Sequence, residues 1–318
     1  MRIKTLLKRL FFYFYKAAIK LFRIHVLPAH YYCPLPNPIE LERTRHTWAH
    51  PSEMLGIEIN LENQLKNLQK VCSPFHKEYL GNSTYLYAVK NKFGPGYGYI
   101  EAQALHAMIR FLQPKRIIEV GSGVSTYCML KAACKNYDNN GIKTEIIAIE
   151  PNPSSMLKSM SEIQLIPRKV QEIDLKLFET LEKNDLLFID SSHAVRAGGD
   201  VNFLILEVLP RLKSGVYVHF HDIYFPYDYP RDILTTFFPA TESSLLHAFL
   251  IFNYKFEIFF CLSLLHYMCP NELAKVFPEY QPQGGNNGLN DENLTPFGTP
   301  IGHFPSSIYL FVKKDNKV

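Results

Sequence analysis

"RIIEVGSGVST", residues 116–126, decides the fold. Ile117, Ile118 and Val120 form a short apolar run of the kind buried on both faces of a sheet, and Gly121 and Gly123 follow at once. A strand passing through a glycine turn into a helix is the opening unit of a parallel sheet, with the turn at the carboxyl edge where ligands bind. Glycines there let backbone and ligand approach closely. Thr126 stands where a dinucleotide site carries its third glycine.

Working outward, helix-like and strand-like segments alternate from about residue 98. Helix "IEAQALHAMIRFL" precedes the opening strand; after it come a helix from Thr126, strand "EIIAIE", a short helix and a strand near "KVQE". Helix "LKLFETLE", strand "DLLFID", a helix over 200–212 and strand "GVYVHFHD" continue the series. Such alternation implies a parallel sheet with helices on both faces. The finish differs: helix "LLHAFLIF", strand "KFEIFFCL", the Gly/Asn-rich connection "QGGNNGLNDENLTPFGTP", read as a loose surface loop, and a last strand "SIYLFVKK".

Acids mark the strand ends. Glu119 lies two residues before Gly121. A carboxylate there repels the pyrophosphate of a dinucleotide and attracts a ligand with an ammonium group, which favours S-adenosylmethionine. Glu150, ending the second strand, can accept hydrogen bonds from ribose hydroxyls of either ligand. "FIDSSH" (188–193) and "VHFHD" (218–222) add Asp190, His193, His221 and Asp222. A histidine suits proton removal at neutral pH, and oxygen and imidazole donors suit magnesium, manganese, iron or another first-row ion. Neighbouring strand residues face opposite ways, so His221 and Asp222 converge only if the strand has already ended. His219 reads as a packed core residue and Asp200 as a helix cap. "GPGYGY" either covers the cleft through Tyr97 or Tyr99 or is a structural turn.

Together, "RIIEVGSGVST", "IIAIEPNP", "DLLFIDSSH" and "GVYVHFHDIYFP" resemble the successive motifs of class I S-adenosylmethionine-dependent methyltransferases, specifically the bacterial small-molecule and sugar O-methyltransferase branch, over roughly residues 95–318. The resemblance implies a Rossmann-like α/β sandwich: a seven-stranded, mostly parallel sheet with an antiparallel last strand. It implies that Glu119, Gly121 and Gly123 hold the methionine part of the cofactor, Glu150 the ribose, and Glu172 or Asp174 the adenine. In the metal-dependent members a D-x-x-H supplies a ligand and the base, and an acid pair completes the cage. By position Asp190 and Asp222 are ligands and His193 is the base. His221 stands where an acid is expected, which counts against magnesium. The implied activity is methyl transfer to an oxygen of a small molecule or glycan precursor. Two rivals stay open, a cephalosporin hydroxylase-like iron-dependent oxygenase on the same fold and a non-catalytic scaffold recruited to membranes.

The chain's 318 residues, 47% hydrophobic and 20% charged, suffice for a large core. Its net charge of +4 is unevenly placed. Residues 1–23 hold seven Lys or Arg and no acid, leaving 27 basic against 30 acidic residues elsewhere, which excludes a general nucleic-acid binder. In "MRIKTLLKRLFFYFYKAAIKLFRI" apolar residues at 3, 7, 10, 14, 17, 21 and 24 predict an amphipathic helix, too interrupted to span a bilayer. It fits either contact of residues 1–24 with an anionic membrane surface or docking on protein. Pro28, Pro34, Pro36 and Pro38 mark a tether. The expected divisions are a basic helix at 1–27, a tether and helical cap at 28–97 and a cofactor-binding domain at 98–318. Six cysteines without a C-x-x-C pair read as reduced thiols, fitting a cytoplasmic protein, peripheral at the inner membrane face if the helix binds lipid. Oligomeric state is left open.

Overall fold

The apolar runs become seven strands of a single sheet: β1 (Arg116–Val120), β2 (Glu145–Ile149), β3 (Gln164–Ile166), β4 (Leu186–Ile189), β5 (Tyr217–His221), β6 (Phe256–Cys261) and β7 (Ser307–Val312). The computed structural model describes residues 2–33, 35–285, 287–290 and 300–314. The strand order is β3-β2-β1-β4-β5-β7-β6. β1 to β5 pair in parallel, and β7 runs antiparallel between β5 and β6. This is a Rossmann-like sandwich with its final strand reversed, as the motif resemblance implied.

Burial explains why the central strands read as unbroken apolar runs. β4 is buried at every position, and Ile117, Ile118, Leu186, Leu187, Phe188 and Ile189 are wholly inaccessible. Each such side chain contributes about 1.5–3 kcal/mol through its removal from water. One face packs against the helical run from Asp200 and the helix Glu242–Leu250; the other packs against the helices Tyr99–Leu112 and Val124–Asn140. Parallel register brings Gly121, Glu150, Asp190 and Asp222, each just beyond its strand, to one carboxyl edge.

Several elements differ from the sequence expectation. The third strand is Gln164–Ile166, whereas Val170–Glu172, within "KVQE", is a 3₁₀ turn. "LKLFETLE" contributes a 3₁₀ helix over Leu175–Thr180. The run expected as one helix over 200–212 is α over Asp200–Phe203, π over Leu204–Val208 and 3₁₀ over Leu209–Arg211. Pro210 offers no N–H to close an α turn there. The helix after β1 begins at Val124, and Gly141, at φ +69°, ends it.

The chain divides into two units, Met1–Trp48 and Ala49–Val318. The helices Leu61–Cys72 and Ser83–Lys90 therefore belong with the sheet. In the smaller unit, Arg2–Phe22 is one helix, and Asn37 caps the helix Pro38–Arg43 by accepting from Ile39 N and Glu40 N. All six cysteines are free, and Cys72, Cys128 and Cys261 are buried. The connection read as a loose loop lies partly outside the described residues. Its described part is tied down: Arg231 donates to Gly284 O at 2.5 Å and to Asn290 Oδ1 at 3.4 Å, and Tyr229 Oη donates to Asn287 O at 2.8 Å.

Candidate functional site

A cleft of about 680 Å³ opens along the carboxyl edge, lined by Gly121, Ser122, Glu150, Gln171, Asp190 and Asp222 among others. That volume is in the range of small-molecule sites, roughly 300–1,000 Å³. Its floor is backbone. Gly121 holds φ +79°, and a Cβ there would fall 1.7 Å from the carbonyl oxygen of Asp190. Gly123 faces Gly94 so closely that a Cβ on Gly94 would lie 2.6 Å from its Cα. The "GPGYGY" segment is thus seated on the glycine turn, with Pro95, Gly96 and Tyr97 along the cleft. Tyr97 is buried and packs its ring 4.9 Å from His221. Tyr99 instead donates to Glu279 at 2.8 Å.

Glu119 is not where the sequence placed it. It is fully buried, on the sheet row that continues through Phe188, His219 and Tyr309. Its Oε1 accepts from Ser125 Oγ at 2.7 Å and its Oε2 from Thr126 Oγ1 at 2.6 Å, while Thr126 Oγ1 accepts from Gly123 N at 2.9 Å. Burial pushes the carboxyl up to about 8 against the pull of those hydroxyl donors. Buried and engaged through both oxygens, it does not line the cleft, and burial disfavours the charge expected to attract an ammonium group. Its role is to latch the first turn of the following helix. Glu172 also departs from expectation: it is exposed, and Lys169, Val170 and Gln171 line that rim instead. Asp174 accepts from Lys176 N and caps a 3₁₀ helix. Glu150 does face the cleft, accepting from Asn152 N at 2.7 Å and from Ser122 N at 3.3 Å.

At the other end, four carboxyl groups meet two imidazoles. His193 Nδ1 lies 2.8 Å from Glu242 Oε2, and its Nε2 lies 3.3 Å from Asp190 Oδ1 and 3.5 Å from Asp222 Oδ2. His221 Nδ1 lies 3.2 Å from Asp190 Oδ1 and 3.7 Å from Asp222 Oδ2, and its Nε2 lies 3.1 Å from Glu101 Oε1. β5 ends at His221, and Asp222 turns back with φ +55°, which allows these adjacent residues to converge. His193 also holds φ +55°, and its carbonyl accepts from Thr241 N and Glu242 N. Left-handed backbone at non-glycine residues costs about 1 kcal/mol or more each and is typical of positions fixed for function.

Burial opposes charge on both rings, and the carboxylates outweigh it. Hydrogen bonds to Asp190 and Glu242 push His193 to about 10, and the Asp222 and Asp190 charges hold His221 well above the histidine range. Asp190 is half-buried, which works against its charge, yet His221 and His193 keep its carboxyl well below the usual range. Burial raises Glu242 although His193 pulls it down. His219, by contrast, is stacked 4.5 Å from Phe188, and burial drives it well below the ordinary value, as suits a core residue.

Glu101 and Glu242 escaped the sequence reading because each looks like an ordinary acid in the first turn of a helix. A signal was present for Glu101: it lies in a helix of which all but two residues are buried. It accepts from Ser306 N at 2.9 Å and folds back over Gly98, where a Cβ would overlap its Oε2. Asp200, expected as a helix cap, is instead the first residue within its helix, with Gly199 at the cap, and its carboxylate accepts from Ser192 N and Oγ at 2.9 and 2.6 Å and so holds the D-S-S-H turn.

The donor set fits a divalent ion. Asp190, His193 and His221 bring one ligand atom each within 4.8 Å of one another, with Asp222 beside both rings. Each imidazole has a buried glutamate behind its remote nitrogen, an outer partner that fixes the ring's orientation and tautomer whether it ligates or moves a proton.

The strand order with one reversed strand, together with a glycine turn opening a cleft at the carboxyl edge, defines a Rossmann-like α/β sandwich with its cleft where open sheets of this kind bind ligands. A family model described as "Methyltransferase domain" matches residues 118–223. An uncharacterized protein of Archaeoglobus fulgidus is 34% identical over 171 residues, spanning 49% of this chain and 74% of that one. Among solved structures, similarity extends to a putative O-methyltransferase from Klebsiella pneumoniae (14% identity, 78% of this chain and 90% of that one, TM-score 0.36). It also extends to the O-methyltransferase TomG of Streptomyces achromogenes in complex with S-adenosylmethionine (12% identity, 87% and 97%, TM-score 0.36). Residues 118–223, from within β1 to just past β5, are those of a methyltransferase domain, in keeping with the motif resemblance.

Proposed function

We propose that this chain methylates a hydroxyl oxygen of a small molecule or glycan precursor, with His193 as general base. The observation that carries this reading is the Glu242–His193 pair. The buried carboxylate engages Nδ1 at 2.8 Å and leaves Nε2 directed at the cleft. The donor would lie across Gly121 and Gly123, where no side chain intervenes, with its ribose hydroxyls toward Glu150. In the reaction the acceptor oxygen attacks the sulfonium methyl carbon; the C–O bond forms as the C–S bond breaks, the thioether leaves, and the hydroxyl proton passes to Nε2.

Free of cations, His193 carries a proton that Asp190 and Asp222 stabilise, and cannot accept another at neutral pH. Asp190, Asp222 and His221 Nδ1 would hold a divalent cation, whose charge lowers the pKa of a bound hydroxyl. An ion held by both aspartates would draw them away from Nε2, which would then be free to take the hydroxyl proton. An imidazole among the donors favours a first-row transition ion over magnesium.

Two measurements test the reading. Calorimetric titration should show S-adenosylhomocysteine binding, and a cell extract supplied with isotopically labelled methyl donor should yield a labelled methyl ether by mass spectrometry. Failure to bind removes the cofactor assignment, and label found only on nitrogen or carbon removes oxygen as the acceptor atom.

A further inference from the structure

The helix Arg2–Phe22 plays no part in the chemistry above, and its surface is unlike the rest of the protein. At about 100° per residue, Leu6, Leu7, Leu10, Phe14, Ala17 and Leu21 fall along one stripe. Leu6, Leu7, Leu10 and Phe14 are each between 56% and 60% exposed, and Leu21 is 71% exposed. Among the described residues, nothing closes over the stripe. The next flank carries Arg9, Lys16 and Lys20, with the Lys16 ammonium 4.8 Å above the ring of Phe12. Tyr15 and Ala18, on another side, are partly or fully covered, and Tyr15 Oη lies 3.0 Å from His25 Nδ1. Every described side chain from Lys4 to Phe14 is exposed and only Tyr15, Ala18 and Ile19 are covered, so the stripe is set apart by being apolar beside a basic flank and not by exposure alone.

The geometry points to an anionic lipid surface as the occupant of this stripe, with Leu6, Leu10, Phe14 and Leu21 entering the acyl boundary and Arg9, Lys16 and Lys20 meeting the headgroups. Charge decides among the candidates. A second copy of the helix would need acids flanking its seam to offset the lysines and arginines, and residues 1–23 contain none, so pairing would bring like charges together. A bilayer interior is excluded because, among the described residues, no helix is long and apolar enough to cross a membrane. An interface rich in acidic lipids satisfies both faces at once, the apolar side by burial and the cationic side by attraction. Aromatic side chains at Phe11, Phe12, Tyr13 and Phe14 suit the depth at which polar headgroups give way to hydrocarbon.

Vesicle flotation of the full chain tests this. It should float with phosphatidylcholine vesicles containing about a third phosphatidylglycerol, float weakly with phosphatidylcholine alone, and be released by high salt. Arg9→Gln, Lys16→Gln and Lys20→Gln combined should lower partitioning roughly a hundredfold, since each basic residue near such a surface is worth about fivefold. Leu10→Asp with Phe14→Asp should abolish it. S-adenosylhomocysteine binding by each variant, which involves none of these residues, confirms that the protein remains folded. No flotation, equal flotation on neutral vesicles, or flotation indifferent to these substitutions overturns the inference. So does a dimer in lipid-free solution that Leu10→Asp with Phe14→Asp dissolves, because the stripe would then serve a second copy.

Discussion

The two ends of the cleft are built from different materials. The end beneath the first strand is made of backbone: Gly121 against the Asp190 carbonyl, and Gly94 against Gly123. The end beneath the fourth and fifth strands is made of side chains, with Asp190, His193, His221 and Asp222 flanked by Glu101 and Glu242. A nucleoside tail can be gripped by shape and amides, whereas moving a proton needs groups that change charge. The contrast also separates what each end tolerates: the first fails by steric intrusion, the second by loss of an ionisable atom.

The largest expected effect tests whether the ends are chemically separate. His193→Ala should lower kcat by roughly a hundredfold to ten-thousandfold while leaving S-adenosylhomocysteine affinity within about twofold. Unchanged turnover would remove the base, and an equal loss of affinity would show that the ends act as one. Gly121→Ala should strike the other end, because its Cβ would collide with the Asp190 carbonyl at a backbone angle unfavourable to alanine. A loss of about 3 kcal/mol in denaturant unfolding, with cofactor binding abolished, is expected. A stable Gly121→Ala protein that binds normally would show the contact to be yielding.

The smallest effect concerns Glu119 and sharpens the account of the backbone end. A carboxyl pushed from 4.5 to about 8 in the folded state favours folding fully below its unfolded value and loses that contribution as pH rises through 8. Relative to Glu119→Gln, the natural protein should therefore lose stability between pH 6 and 9, by at most about 3 kcal/mol. A flat difference across that range would mean the carboxyl is already ionised at pH 6, and the electrostatic reading of the turn would return.

What the sequence made legible follows the same division. The glycine turn, Glu150, Asp190 and Asp222 lie at strand ends, so local pattern sufficed to place them on one edge. The reversed seventh strand came from a motif resemblance and not from periodicity. Glu119 misled because a two-residue spacing from glycine does not reveal which face of the sheet a side chain occupies, and its alternation partners Phe188 and His219 lie on remote strands. Glu101 and Glu242 were hidden for a related reason. Each reaches the imidazoles from a helix more than 40 residues distant along the chain, and only the assembled sheet shows what they face. Glu172 was misplaced when the third strand was set at "KVQE"; the actual strand ends earlier, at Ile166.

His193 and Asp222 are both held in left-handed backbone wells. Glycine at either position would relax the main chain, and asparagine would sit there more comfortably than most residues. If His193 and Asp222 act as proposed, durability and turnover pull in opposite directions at the same two positions. A library selected for heat resistance alone should drift toward glycine or asparagine at both, and its hardiest members would be catalytically silent.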